Sequence, residues 1–555
     1  MSRKFLSLGI VLLLVLSTFV SAAPVTFTQL KSRLKQREAN LDILDYDQIY
    51  ANIEKLTSLE EAINSGELKG SALNEAKAEF DSLIEETFLL TFESLNNETR
   101  AIWIDNIYMA KLRSREDVAN MMDWLQSMNF NVIIPDVFNN FKAVYPSKVV
   151  PQHDHYYVFY RGNLLQDLVE EAHARGMHLQ PLVVLFGMDT GWDQFLDDLN
   201  AFDRDIDGKF VNIYGQAFLS PAYPPTRDTL VELIKEIASY GVDGINLDYI
   251  RFSTGFGYGD YISSIWEAFN GFKPHEITEN SRFYTQFWEF KAQFVSSFVD
   301  RVVKEVQEVN PKVLISADVQ SPHSWGKYEL AQDHKHWTNN RYLHSLLLMC
   351  YTYTAEEFSM HIKNDADHIN NQALTYPGMG LYNFDNKEYL RQIEASRGQP
   401  FVGQVSFSAI HLGPDKEEYL KKGPYRSPAK NTIDDPQTSA ALILEDLALR
   451  LELTKSISGL DDLTISTWQE MLHAKADSIK NLDLRSWPDR NLQEPNAEEE
   501  AALRKEISEM QNLIKEAGNL GAPGKRVTLE LERVLGILLM FRHFASNYSY
   551  VPVQY

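Results

Sequence analysis

The chain has 555 residues, of which 44% are hydrophobic and 23% charged, and its formal net charge is −24. That length allows roughly two to four domains, and the apolar content excludes wholesale disorder. The acidic excess argues against nucleic acid or anionic lipid as a partner and suits a neutral or cationic substrate.

Arg3 and Lys4 precede a charge-free run from Phe5 to Val20, and Val20-Ser21-Ala22 offers small residues for cleavage. This is the pattern of a signal peptide over residues 1–22, removed after Ala22. The run is shorter than the roughly 20 residues a bilayer span needs. The expectation is an exported chain, secreted or periplasmic, with no stable membrane insertion after leader cleavage. Cys350 is the single cysteine, in the apolar run Leu346-Leu347-Leu348-Met349-Cys350. An intramolecular disulfide, a Cys-based zinc site and an iron–sulfur cluster are thereby excluded. A buried structural thiol is expected there. Asn97-Glu98-Thr99 and Asn547-Tyr548-Ser549 match glycosylation acceptors, a short motif with frequent chance matches.

Residues 25–98 read as an N-terminal helical region, a hairpin or small bundle broken at Ser65-Gly66. From residue 99 to 412, short apolar strands alternate with amphipathic helices. The predicted strands are Ile102–Ile104, Val132–Ile134, Leu182–Leu185, Gly244–Asp248, Val313–Ser316, Leu346–Leu348, a run ending near Gly380-Leu381, and Phe401–Val405. Ser114 caps one intervening helix with Asp117 as its partner, and Asn163 caps another. Eight strand–helix units predict an α/β fold, a (β/α)8 TIM barrel. A doubly wound open sheet is the alternative, and no glycine-rich phosphate turn follows the first strand to support it. Residues 413–436 read as a linker or long loop. Residues 437–555 read as a C-terminal helical domain, broken at Ser458-Gly459, Trp487-Pro488 and Gly521-Ala522-Pro523-Gly524. It is expected to pack with the N-terminal helices.

In such a barrel, chemistry sits at the C-terminal strand ends and the loops beyond them. Those positions hold Asp105, Asp136, Trp192, Asp248, Tyr249, Arg251, Asp318, Tyr351 and Tyr382. Asp189 lies in the third of these loops. Trp325 and Trp337 flank a long loop and are candidate sugar platforms, with partial burial as the plain alternative. Carboxylates converging on one mouth among aromatic rings suit glycoside hydrolysis. Asp248 ends an otherwise apolar strand, so it faces the mouth or pairs with Arg251. Asp318 follows the fifth strand in the same way. The loop Ser253–Tyr261 alternates Gly with aromatics and reads as a lid or a plain flexible loop. His153/His155 and His334/His336 have His-x-His spacing but lie in loops, so no catalytic metal is expected, and no cofactor.

Four stretches resemble the glycosyl-hydrolase-like family 10, exported barrel proteins presumed to be glycosidases. They are Thr99–Ile104, Ala143–Ser147, Glu171–Gly176, and Leu219–Pro224 leading into Val242–Phe252. The resemblance covers about residues 99–410 and neither helical flank. It implies a (β/α)8 barrel with Asp248 as the leading catalytic carboxylate. Ser253 and Asn246 depart from the family's usual residues, and the stretch after the fifth strand is not a close match. Two readings follow. One is a glycoside hydrolase acting on a polysaccharide or oligosaccharide, with Asp248 as nucleophile or base and Asp318 as its partner. The other is a non-catalytic carbohydrate-binding protein of the cell envelope on the same scaffold.

Overall fold

The computed structural model describes residues 24–195, 197–369, 372–485 and 496–546. The expected leader, the acceptor at Asn547 and the break at Trp487-Pro488 lie outside the described residues. Eight strands form the centre of the molecule. β1 is Thr99–Ile104 and β2 is Val132–Asn139. β3 comes in two pieces, His178–Leu179 and Leu182–Val184. Pro181, which has no N–H to give a ladder, lies in the gap. β4 is Gly244–Asp248, β5 Leu314–Gln320, β6 Ser345–Met349, β7 Leu374–Gly380 and β8 Gly403–Phe407. Each pairs in parallel with the next, and β8 pairs in parallel with β1. The sheet therefore closes into an eight-stranded TIM barrel.

Two strands run well past the C-terminal ends predicted for them. β2 continues through Pro135 and Asp136 to Asn139, with a bulge between Asp136 and Phe138. β5 continues through Asp318 to Gln320. Both acids thus sit inside strands, because parallel pairing on both sides carries the extended backbone past the apolar stretch. β8 begins two residues later than expected. Gly403 there lies against the Thr99 carbonyl so closely that a Cβ would be 2.2 Å from it.

Inside the barrel, the lower layers are apolar. Ala101, Val132, Ile134, Leu182, Leu314, Leu347 and Val405 belong to one buried cluster with helices Pro436–Leu453, Asp462–Lys480, Ala497–Ala517 and Gly524–Ala545. The C-terminal helices thus close the N-terminal end of the barrel. Three N-terminal helices, Phe27–Ala39, Tyr46–Asn64 and Ser71–Leu90, flank them. Charged pairs tie the flanks together. Glu93 pairs with Arg450 at 2.6 Å and with Arg526 at 2.9 Å, and Asp42 pairs with Arg526 at 2.9 Å. Burial alone would raise the Glu93 carboxyl, but the two guanidinium groups outweigh it and hold it at about 2.

Within 413–436 the structure has helix Pro414–Lys422, with acids in its first turn and Lys421 and Lys422 in its last. That placement complements the helix dipole. Tyr425 beyond it is fully buried and accepts a 2.7 Å hydrogen bond from Gln404. Asn97 is buried, its amide donating to the Ser439 carbonyl at 3.2 Å. The folded chain therefore does not present it as a glycosylation acceptor. Cys350 is buried, and burial pushes its thiol far up, away from nucleophile chemistry. Among the described residues, no helix is long and apolar enough to cross a membrane.

Candidate active site at the open end of the barrel

The C-terminal end of the barrel has two unlike halves. Its acidic half is built on β1, β2, β4 and β5. Asp105 follows β1, caps helix Asn106–Met109 by accepting from the Tyr108 N–H at 2.9 Å, and accepts from the Ser408 hydroxyl beyond β8. Asp136 shares its inward parity with Ile134 and is buried, and both its oxygens accept from the Asn139 amide at 3.1 Å. Burial, with the charges of Asp248 and Asp105 adding to it, pushes its carboxyl up to about 7 against the Asn139 hydrogen bond.

Asp248 and Asp318 lie on neighbouring strands. Asn246 is level with Ser316 and Leu247 with Ala317, so the next step brings Asp248 level with Asp318. Neighbouring strands lie about 4.8 Å apart. The two environments differ. Asp318 is 2% exposed, and burial followed by the Asp248 charge raises its carboxyl well above the ordinary 3.8. Asp248 is half-buried and accepts from the Tyr249 N–H at 2.6 Å. Burial raises it too, while Arg251 and that N–H oppose the rise. Like charges this close cannot both ionise near neutrality. The cation and the backbone donor favour the charged form of Asp248, and burial with the Asp248 charge favours the neutral form of Asp318.

Tyr249 takes φ +48°, an unusual value for a side-chain-bearing residue. Its ring lies over Gly187, where a Cβ would come within 2.3 Å of Cδ1. The Arg251 guanidinium stands 4.5 Å from the centre of that ring. Among the described residues, Arg251 forms no ion pair with Asp248 within 4.0 Å. The structural alternative for Asp248, a salt bridge to Arg251, is thus not what is seen.

The other half of the mouth is aromatic. Tyr351 after β6 lies 6.0 Å from Tyr382 after β7 and 5.5 Å from Phe407 on β8. Tyr382 is 43% exposed and also meets the His411 ring at 5.5 Å. Burial, then the Asp318 charge, raises the Tyr351 phenol well above its ordinary range, so the wall adjoins the acid pair. Burial also pushes the Tyr382 phenol up to about 12.

Of the tryptophans, Trp325 is 41% exposed on helix His323–Leu330 beyond β5. Trp192 is half-buried and packs edge-on against Phe210 at 5.6 Å, in the excursion after β3. Trp337 overturns its expected role. It is fully buried and its Nε1 donates to Ser296 at 2.8 Å, so it is core and not a platform. Asp189 is exposed and accepts from Gln216 at 2.6 Å. The loop Ser253–Tyr261 is anchored. Phe256 is 4% exposed, its carbonyl accepts from buried Lys291 at 3.0 Å, and the Gly257 and Tyr258 N–H groups donate to the Arg204 carbonyl.

Both histidine pairs have local partners. His153 caps helix Asp154–Phe159, and His155 Nε2 lies 2.8 Å from the Ala110 carbonyl. His334 Nε2 is 3.2 Å from His323 Nδ1, and the Asn340 amide reaches His336. Among the described residues, no three His, Cys, Asp or Glu side chains group as metal ligands.

Sequence reasoning passed over Trp103, Asn246, Gly187 and Phe407 as site residues. Asn246 drew notice only as a departure from a family pattern. An amide inside an apolar strand was the signal available for it. Gly187 and Phe407 needed the tertiary contacts.

Raised carboxyls and an aromatic wall thus share the mouth of a closed α/β barrel, a combination that marks a candidate functional site. The chain belongs to the glycosyl hydrolase-like 10 family, whose model matches residues 98–386. No curated protein matches the chain. Among solved structures, it is similar to the glycoside hydrolase domain of PgaB (BpsB) from Bordetella bronchiseptica, at 11% identity and TM-score 0.46, covering 60% of this chain and 100% of that one. It is also similar to the β-amylase catalytic domain of Paenibacillus polymyxa, at 12% identity and TM-score 0.43, covering 59% and 98%. The α-L-fucosidase isoenzyme 2 of Paenibacillus thiaminolyticus matches at 14% identity and TM-score 0.43 over 59% of this chain, which spans only 49% of that enzyme's length.

Proposed function

We propose that this protein is an exported glycoside hydrolase cleaving O-glycosidic bonds of a polysaccharide or oligosaccharide. The carrying observation is the pair of carboxyls level on neighbouring strands, one sealed and the other open to Arg251 and the Tyr249 N–H. Asp318 gives its proton to the leaving oxygen as the bond from that oxygen to the anomeric carbon breaks. Asp248, ionised, attacks that carbon or draws a proton from the attacking water. Level backbone positions on strands about 4.8 Å apart are compatible with the roughly 5 Å carboxyl separation of retaining enzymes. Tyr351 and Tyr382 offer faces for sugar rings, Tyr249 and Arg251 orient the substrate beside Asp248, and Asp105 and Asp136 complete the acidic rim.

Reducing-end release from a broad glycan panel tests this. Asp248→Asn and Asp318→Asn keep the side-chain shape and are each expected to lower kcat by about 10²–10⁴-fold. Full activity in Asp248→Asn discards the assignment. Glycan binding without hydrolysis in the unaltered protein transfers the reading to a carbohydrate-binding protein. Export rests on Arg3, Lys4 and the charge-free run after them, and a mature chain beginning at Ala23 is its test.

A further inference from the structure

We propose that Asn246 is the positioning residue that puts the Asp318 proton on Oδ2, with Trp103 locking the amide that does so. This deepens the acid–base reading above and rests on it for its catalytic meaning. The argument begins with the indole of Trp103 on β1. Its Nε1–H only donates. It lies 3.2 Å from Asn246 Oδ1 on β4, across the barrel interior. An amide turned the other way would set N–H against N–H, so the oxygen must face the indole. The amide nitrogen is thereby directed toward β5. Its two hydrogens go to Ser316 Oγ at 3.0 Å and to Asp318 Oδ1 at 3.0 Å.

Ser316 is itself held, accepting from Gln180 Nε2 on β3 at 2.6 Å. Trp103, Asn246, Ser316 and Gln180 are all at most 1% exposed, so water does not compete for these bonds. Gly378 on β7 makes room for the indole, since a Cβ there would be 3.0 Å from its Cη2. Oδ1 of Asp318 therefore meets a donor in either protonation state, and an acid proton has no place on it. Among the described residues no amide donates to Oδ2, although the Trp103 indole also favours the charged form of the Asp318 carboxyl, so Oδ2 is the oxygen left to carry the proton. The proton sits where a leaving oxygen can take it.

The test is a ¹³C titration of the aspartate carboxyl carbons in the full chain, with the Asp318 resonance identified by its loss in Asp318→Asn. Asn246→Leu removes the donor that favours the carboxylate form. The Asp318 titration is then expected to move up by about one pH unit. Trp103→Phe frees the amide to turn and also removes the indole's own donor effect on the Asp318 carboxyl, so it should move the titration in the same direction. In the pH profile of kcat/KM, the alkaline limb should rise alongside, with kcat down about 10²-fold. An Asp318 titration unmoved in a folded Asn246→Leu variant overturns the proposal, and Trp103→Phe decides if that variant does not fold. A titration that moves in a protein hydrolysing no glycan leaves the proposal standing and removes the glycosidase reading.

Discussion

Replacing Asp136 by Asn should stabilise the protein, and more so at pH 8 than at pH 5. Asp136 is buried, and its carboxyl is held at about 7 instead of the ordinary 3.8. The folded state therefore binds a proton that the unfolded state releases between those values. The contribution of the neutral acid is fully present below 3.8 and is lost as pH rises through about 7. Above 7, ionising the group in its site costs about 4 kcal/mol, and at pH 5 about 1.5 kcal/mol. Asn pays neither cost, and its amide oxygen still accepts from Asn139. The difference in unfolding free energy, variant minus parent, should grow by about 3 kcal/mol from pH 5 to pH 8. Urea unfolding at the two pH values, with equal m-values as the check on two-state behaviour, measures it. Taking the difference between proteins cancels the other acids that titrate in the same range. A difference independent of pH refutes the argument, because it would mean that the native site carries the charge without penalty. Activity should fall in the same variant, the exchange expected where strain serves function.

Three further outcomes follow from the packing. Gly187→Ala places a methyl within 3.0 Å of three Tyr249 ring atoms, so it should cost about 1–3 kcal/mol and raise KM by moving Arg251, read by denaturation and steady-state kinetics. Trp337→Ala should lose about 3–5 kcal/mol of stability as a core deletion, seen in the same unfolding assay. Trp325→Ala should leave stability within about 0.5 kcal/mol and instead weaken glycan binding, measured by calorimetry on the longest cleaved substrate.

The barrel was readable because strand–helix alternation is a local pattern. Val118, Met121, Met122 and Leu125 mark a helix face in the sequence, and the same four are buried in helix Arg115–Ser127. Strand ends were less readable. The extension of β2 and β5 past their apolar stretches depends on neighbours distant in sequence, so Asp136 and Asp318 looked like loop acids. Trp337 shows the same limit for side chains. A tryptophan beside a loop is written alike whether it meets Ser296 in the core or stands at the mouth. Loop residues 253–261 looked free because Lys291, which holds the Phe256 carbonyl, lies well beyond them in the chain.

Buried glutamates at the closed end and buried aspartates at the open end are treated differently, although burial and the Glu93 charge still raise Asp42 at the closed end. At the closed end, Glu98 is 2% exposed, and burial alone would raise it. Arg397 at 2.7 Å and Arg100 at 2.8 Å outweigh that and hold it at about 2. Glu530 is likewise held at about 2 against its burial, by Arg533 and Arg526. At the open end, Asp136 and Asp318 are just as buried, yet no cation among the described residues lies within ion-pairing distance of either. Their carboxyls rise instead. Breaking a buried pair at the closed end costs about 3–5 kcal/mol, so that end holds the helical flanks to the barrel. Removing a buried acid at the open end relieves a penalty. Unpaired buried acids cost stability, and groups so perturbed cluster at functional sites. On this molecule Asp136 and Asp318 stand in that position in the acidic half of the mouth, beside the Tyr351–Tyr382–Phe407 wall, and under the proposed function a sugar's hydroxyls and leaving oxygen would be the partners those carboxyls lack.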